Sequence, residues 1–161
     1  MPIDYIPYLR KKVGHDEILS VGIACVLIND KNEVLLEKRS DNGLYCLPGG
    51  SIDLYETLKE GLIREVKEET GLTIDNMELF SIRSGEKEIF RYPNGDVTHY
   101  VDLAFISYIH GDIKLPNDHD SESTKIYFCP LDKLPKKEEF LRGSYETIMK
   151  YVAGDFKVTV D

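Results

Sequence analysis

The chain has few cysteines, no long apolar run, no repeat and a shortage of positive charge, and each lack removes a class of function. Its three cysteines, Cys25, Cys46 and Cys129, are odd in number, form no C-x-x-C pair and lie in apolar surroundings. Neither a zinc site nor a disulfide framework is indicated. Buried free thiols in a reducing compartment is the plain reading, so a cytoplasmic protein is expected. The longest apolar run, residues 21–28, is far below the roughly 20 residues a membrane-spanning helix needs. Asp4, Arg10, Lys11 and Lys12 interrupt the amino terminus, which does not read as a signal peptide. Twenty Lys and Arg face 29 Asp and Glu, a net charge of −9; no nucleic acid is expected as partner, because phosphate backbones are held by cationic side chains. With no repeat, low-complexity tract or linker, the 161 residues read as one domain.

What is present belongs to a globular protein: 42% of residues are hydrophobic and 30% charged. Residues 3–14 read as a short lead-in. The apolar, β-branched run 18–28 suits a buried strand, residues 29–32 a turn and residues 34–39 a second strand. Pro48-Gly49-Gly50 forms a tight turn. A helix is expected from about residue 57 to 70, strands near 72–83, 86–92, 97–109 and 124–129, and a second helix over about 138–152. Asn94-Gly95 signals a type I′ hairpin. The order predicts an α/β fold, a mixed β-sheet between helices.

The first helix breaks local rules. Thr57-x-x-Glu60 is a capping box at its start and Gly71 suits a left-handed cap at its end. Leu58, Leu62, Ile63 and Val66 form the core stripe. Glu65, Glu68 and Glu69 crowd an adjoining face at i, i+3 and i+4, with Gly61 one turn earlier, expected to open space beside them. Like charges at these spacings cost roughly 0.2–0.5 kcal/mol per pair, and each opposes the negative helix end by about 0.3–1 kcal/mol. The sum, on the order of 2 kcal/mol, is a sizeable part of a domain's stability of about 5–15 kcal/mol. A solvated acidic face and a functional site explain this equally well until the upstream residues are read.

Residues 50–72 are GSIDLYETLKEGLIREVKEETGL, with five residues between Gly50 and Glu56 and seven between Glu56 and Arg64. Apolar Val66, then Glu68-Glu69, Gly71 and apolar Leu72 complete the pattern G-x5-E-x7-R-E-U-x-E-E-x-G-U. The chain therefore resembles the Nudix hydrolase family (MutT-like). Residues 35–39, Pro48-Gly49 and residues 130–135 are also similar to it, whereas Tyr45 stands where relatives often carry Trp. The resemblance implies an α/β/α sandwich. It also implies that Glu65, Glu68 and Glu69 bind Mg²⁺ or Mn²⁺, with the Gly49 carbonyl as a further ligand, Arg64 orienting Glu65, and Glu56 at the edge of the metal site. Clustered carboxylates with a carbonyl and water are what such hard cations prefer. A general base is to be sought among Glu68, Glu69, Glu122 and Asp120, the last two in an acidic loop before the last strand that reads equally well as a polar surface turn.

The implied activity is metal-dependent pyrophosphohydrolysis of a nucleoside diphosphate linked to another moiety. ADP-ribose or a nucleotide sugar leads, because the short chain with its YPNGD hairpin resembles bacterial ADP-ribose pyrophosphatase-like members. Nucleoside triphosphates are the alternative. A non-catalytic nucleotide-sensing module is the third reading, disfavoured because the acidic set is whole. Arg39 is a candidate phosphate contact or a surface ion pair, and Tyr45, Tyr92 and Tyr100 are candidate stacking platforms or packing residues. The four histidines show no metal-ligand spacing. Residues 8–12 (YLRKK) suit packing over the sheet, the substrate mouth or a homodimer contact.

Overall fold

The computed structural model describes residues 3–116 and 123–161. In chain order its elements are α1 (Tyr5–Val13), β1 (Ile18–Ile28), β2 (Glu33–Arg39), β3 (Tyr45–Cys46), β4 (Gly49–Ser51), α2 (Leu58–Thr70), β5 (Glu78–Arg83), β6 (Ile89–Arg91), β7 (Val97–Tyr108), β8 (Ser123–Pro130), α3 (Ser144–Val152) and β9 (Thr159–Val160). The main path of the sheet runs β3-β2-β1-β7-β5-β9, with β4 on β1, β6 on β7 and β8 on β2.

Strand β1 explains the layering. Ile23, Cys25 and Leu27 belong to one apolar layer, which Leu62 and Val66 of α2 close. Val26 and Ile28 belong to the other, closed by Ile148 of α3. A strand apolar on both faces needs cover on both, and the helices supply it. The result is the α/β/α sandwich with a mixed sheet.

The same strand creates an opening. β1 is parallel to β7 along its whole length, from Ile18 opposite Thr98 to Ile28 opposite Tyr108. Its other edge meets β2 only at Ile28 opposite Val34. Earlier along that edge, Gly22, Ile23 and Ala24 pair instead with Ser51, Gly50 and Gly49 of β4, and the Cys25 N–H donates to the Pro48 carbonyl at 2.8 Å. β2 turns away to pair with β8 and β3. The tight turn at residues 48–50 fills the wedge and carries the start of the motif into it.

Four expectations need correction. The stripe of α2 is carried by Leu62 and Val66 with Ile63 packed beside them, but Thr70 joins it and Leu58 is 39% exposed; Thr70 tolerates burial because its hydroxyl donates to the Val66 carbonyl at 2.6 Å. Residues 72–77 are not strand: Leu72 and Ile74 bury, but the Asn76 side chain takes the ladder's place, accepting from Tyr108 N–H and donating to its carbonyl. The hairpin is not type I′, since Gly95 has a positive φ of 94° and Asn94 does not. Its loop is the three residues 93–95, closed by Tyr92 N–H to Asp96 O, because Pro93 presets an ordinary turn geometry at the first position. The last helix starts at Ser144, six residues late, because the buried Phe140 bridges to Tyr45 and Gly143 turns left-handed at φ 83°.

Candidate active site

Helix α2 is bounded as its sequence dictates. Thr57 Oγ1 accepts from Glu60 N–H, the Glu60 carboxylate accepts from Thr57 N–H, and Gly71 ends the helix at φ 75°. That fixes the rotation of the helix, and with it the faces of Arg64, Glu65, Glu68 and Glu69.

Arg64 is the hub. Its Nε and Nη2 donate to the two Glu56 oxygens at 2.6 and 2.9 Å. Nη1 donates to Glu65 at 2.8 Å and, longer, to Glu68 at 3.3 Å. Nη2 also reaches the Ser51 carbonyl at 3.0 Å. The Glu56 side chain is 2% exposed. Arg64 holds its carboxyl below the usual glutamate range; burial opposes this, and the Asp53 N–H adds to it. The same bonds raise the guanidinium above its ordinary value. With both oxygens engaged, Glu56 stands as a support behind Arg64. Gly61 serves that support: a Cβ there would meet Ile52 and the Glu56 carboxylate. Its vacancy is on the Glu56 side, a correction to the expectation that it opens space beside the three acids.

The three acids line one cleft of about 700 Å³, together with Arg39, Asp41, Gly49, Gly50, Asp53 and Arg64. Glu69 accepts from the Gly49 N–H at 2.8 Å. Asp4 and Ile6 stand at the mouth, anchored where Tyr5 N–H donates to Asp53 at 2.9 Å. The lead-in segment thus reaches the mouth through its first turn, while Arg10 fastens it to Val97 and Thr98.

The cleft opens inward. Arg39, Gly49, Gly50, Glu69, Tyr92 and Tyr100 also line a chamber of about 160 Å³, whose remaining wall includes Arg83, Glu88, Phe90, Asp102 and Arg142. Arg39 lies at the junction, held by Asp41 through two bonds of 2.9 and 2.8 Å. Tyr92 and Tyr100 share a hydroxyl contact of 3.0 Å there. Tyr45 lines neither space: its ring packs against Tyr127 and Phe140. Asp120 and Glu122 lie outside the described residues. Sequence reading missed Arg83, Glu88, Phe90, Asp102 and Arg142, which come from four separate parts of the chain and share no local pattern. Cys46 lines the chamber as well, but burial pushes its thiol up and keeps it protonated.

Glu65, Glu68 and Glu69 offer only oxygen, the donor type that suits Mg²⁺ or Mn²⁺. Among the described residues no three His, Cys, Asp or Glu side chains are grouped closely enough to hold an ion as they stand. Arg64 and the Gly49 N–H balance the charge instead. The donor chemistry fits a hard cation, with Glu68, 59% exposed, the least constrained of the three.

The two glycines of the turn make separable predictions. A Cβ on Gly49 would strike the Ile23 backbone carbonyl, whereas the nearest atoms to one on Gly50 are those of the Glu65 carboxylate, the end of a side chain. Gly49→Ala should therefore cost about 1–3 kcal/mol in chemical denaturation. Gly50→Ala should leave stability within about 1 kcal/mol but lower kcat up to about 100-fold, the effect of a misplaced catalytic group. The reverse order of effects would contradict this assignment of the turn.

Comparison with known proteins shows the family. The family model described as NUDIX domain matches residues 19–151. An ADP-ribose pyrophosphatase of Methanocaldococcus jannaschii is 34% identical over 128 residues, 77% of this chain and 68% of that protein. An 8-oxo-dGDP phosphatase of Mus musculus is 31% identical over 121 residues, 70% of this chain but a third (33%) of that protein. The crystal structure of a mutator MutT protein from Bacillus halodurans superposes with a TM-score of 0.66 at 21% identity, covering 87% of this chain and 88% of that one; at that identity the likeness is one of fold.

Proposed function

This chain belongs to the NUDIX family and is a Nudix pyrophosphohydrolase, and on that premise we propose that its substrate is ADP-ribose or a related nucleoside diphosphate sugar, cleaved with Mg²⁺ or Mn²⁺. The observation that carries the proposal is the junction of two spaces, an acidic cleft and an aromatic chamber that share Arg39, Tyr92 and Tyr100. One end of such a ligand is charged and the other planar. The relative from Methanocaldococcus jannaschii supports the same substrate. The buried free thiols Cys25, Cys46 and Cys129 support a cytoplasmic location. Among the described residues no helix is long and apolar enough to cross a membrane.

Glu65, Glu68 and Glu69 would hold the cation, with the Gly49 carbonyl as a further ligand. When bound, Mg²⁺ or Mn²⁺ would neutralise pyrophosphate charge and lower the pKa of a water. Arg64 fixes Glu65 against the turn, and the Gly49 N–H orients Glu69. Arg39 places a guanidinium where the pyrophosphate would pass between the two spaces. Water adds to one phosphorus, its proton passes to a carboxylate, and the bond to the bridging oxygen breaks. ADP-ribose then yields AMP and ribose 5-phosphate with no covalent intermediate. Glu68, Glu69, Glu122 and Asp120 remain the candidate proton acceptors.

A panel of ADP-ribose, UDP-sugars, nucleoside triphosphates and 8-oxo-dGDP, measured as kcat/KM with each metal, tests the proposal. ADP-ribose should give the highest value, and excess chelator should abolish turnover. Full activity in chelator would sink the metal assignment. A preference for triphosphates would move the substrate to the alternative reading, and a preference for 8-oxo-dGDP to the substrate for which the mouse relative is named.

A further inference from the structure

The inner chamber contains a carboxylate that the fold leaves short of donors. Glu88 is buried, at 8% exposure, yet among the described residues its side chain has no hydrogen bond and one ion pair, with Arg83 Nε at 3.4 Å. Arg83 directs its stronger donors elsewhere: to Asp102 at 3.0 Å, to the Gly143 carbonyl at 2.7 Å and to Thr147 at 2.8 Å. Burial pushes the Glu88 carboxyl up against the pull of Arg83. Its carboxylate lines the chamber, where a ligand can reach it.

The remaining walls indicate what completes it. Phe90 presents an aromatic surface, tilted 36° against Tyr92 at 4.7 Å between centroids and flanked by the Arg39 and Arg142 guanidiniums, each 5.9 Å from its ring centroid. The chamber's volume of about 160 Å³, room for roughly five waters at about 30 Å³ each, suits a small planar group rather than a larger moiety. Resting on the reading that a nucleoside diphosphate spans cleft and chamber, we propose that Glu88 accepts a hydrogen bond from the nucleobase amino group and so determines base specificity. Adenine and guanine supply such a donor. Hypoxanthine lacks the exocyclic amine of both.

The test compares ligands that differ at that group. Wild-type protein should bind AMP about 10- to 100-fold more tightly than IMP, the factor expected of one hydrogen bond to a charged acceptor. The ratio of kcat/KM for ADP-ribose over its hypoxanthine analogue should follow it. Glu88→Met, similar in length but unable to accept strongly, should bring the binding ratio to within about threefold of unity. Glu88→Gln can turn its amide to donate to the 6-oxo group, and should bring the ratio to unity or below. A wild-type ratio near one overturns the proposal without any variant. So does a ratio unchanged in both variants when their circular dichroism matches wild type. Failure of the substrate reading is distinct: ADP-ribose then goes uncleaved while the AMP to IMP binding ratio still reports on Glu88.

Discussion

Replacing Arg64 with methionine is expected to destabilise the protein by about 3 kcal/mol, the low end of the cost of stranding one member of a buried ion pair. The low end applies because Arg64 itself is 24% exposed. The stranded member is Glu56, whose two oxygens would lose 2.6 and 2.9 Å bonds with no solvent to replace them. For a chain of this size such a loss lowers Tm by about 6–12 °C. Arg64→Lys keeps the charge but loses the planar fork, and should fall between the two. Adding Glu56→Gln to Arg64→Met should recover part of the loss, since the uncompensated charge is gone.

The pH dependence supplies an independent check. Glu56 has a folded pKa depressed chiefly by Arg64. Its stabilising contribution is therefore fully present above the unfolded glutamate pKa and lost as pH falls through the depressed folded value. In Arg64→Met the buried, unpaired carboxyl has the opposite tendency, favouring its neutral form. Denaturant titrations should show the gap between wild type and variant wide near about pH 7 and narrow near about pH 3. An equal gap at both would show that Glu56 charge does not carry the effect.

The second large effect is on turnover. Glu69→Gln and Glu68→Gln should each lower kcat by about 10²- to 10⁴-fold, the range for a positioned acid–base group. Metal-free stability should hold or rise by a few tenths of a kcal/mol. Gln at 69 keeps an oxygen for the Gly49 N–H, and Glu68 is too exposed to support the core. What each variant removes is charge that repels its neighbours and opposes the helix end. Joint loss of fold and activity would make these acids structural. Glu122→Gln and Asp120→Asn, assayed beside them over a pH series, locate the base. Near-normal kcat in both loop variants assigns it to the helix.

Much of this site was legible in the chain because its information is local. The caps at Thr57 and Gly71 and the spacing of Glu65, Glu68 and Glu69 follow from helical period alone, and a penalty of about 2 kcal/mol for clustering like charge marks a place selected for something other than stability. The doubly apolar β1 likewise required helices on both faces. Position relative to other elements was not legible. Leu58 belongs to the stripe by angle, yet only the assembled sheet decides that Thr70 is covered instead. Arg64 was expected to orient Glu65; that it is bound chiefly to the buried Glu56 depends on how the loop folds back. The chamber is the clearest case. Arg83, Glu88, Phe90, Asp102 and Arg142 carry no shared period or spacing, and the wall forms because β7 pairs with β5, setting Arg83 opposite Asp102, and with β6, setting Phe90 opposite Thr98. Helix caps and charge spacing act over a few residues and can be read from sequence, whereas a cavity wall is a product of strand register and is decided only when the sheet closes.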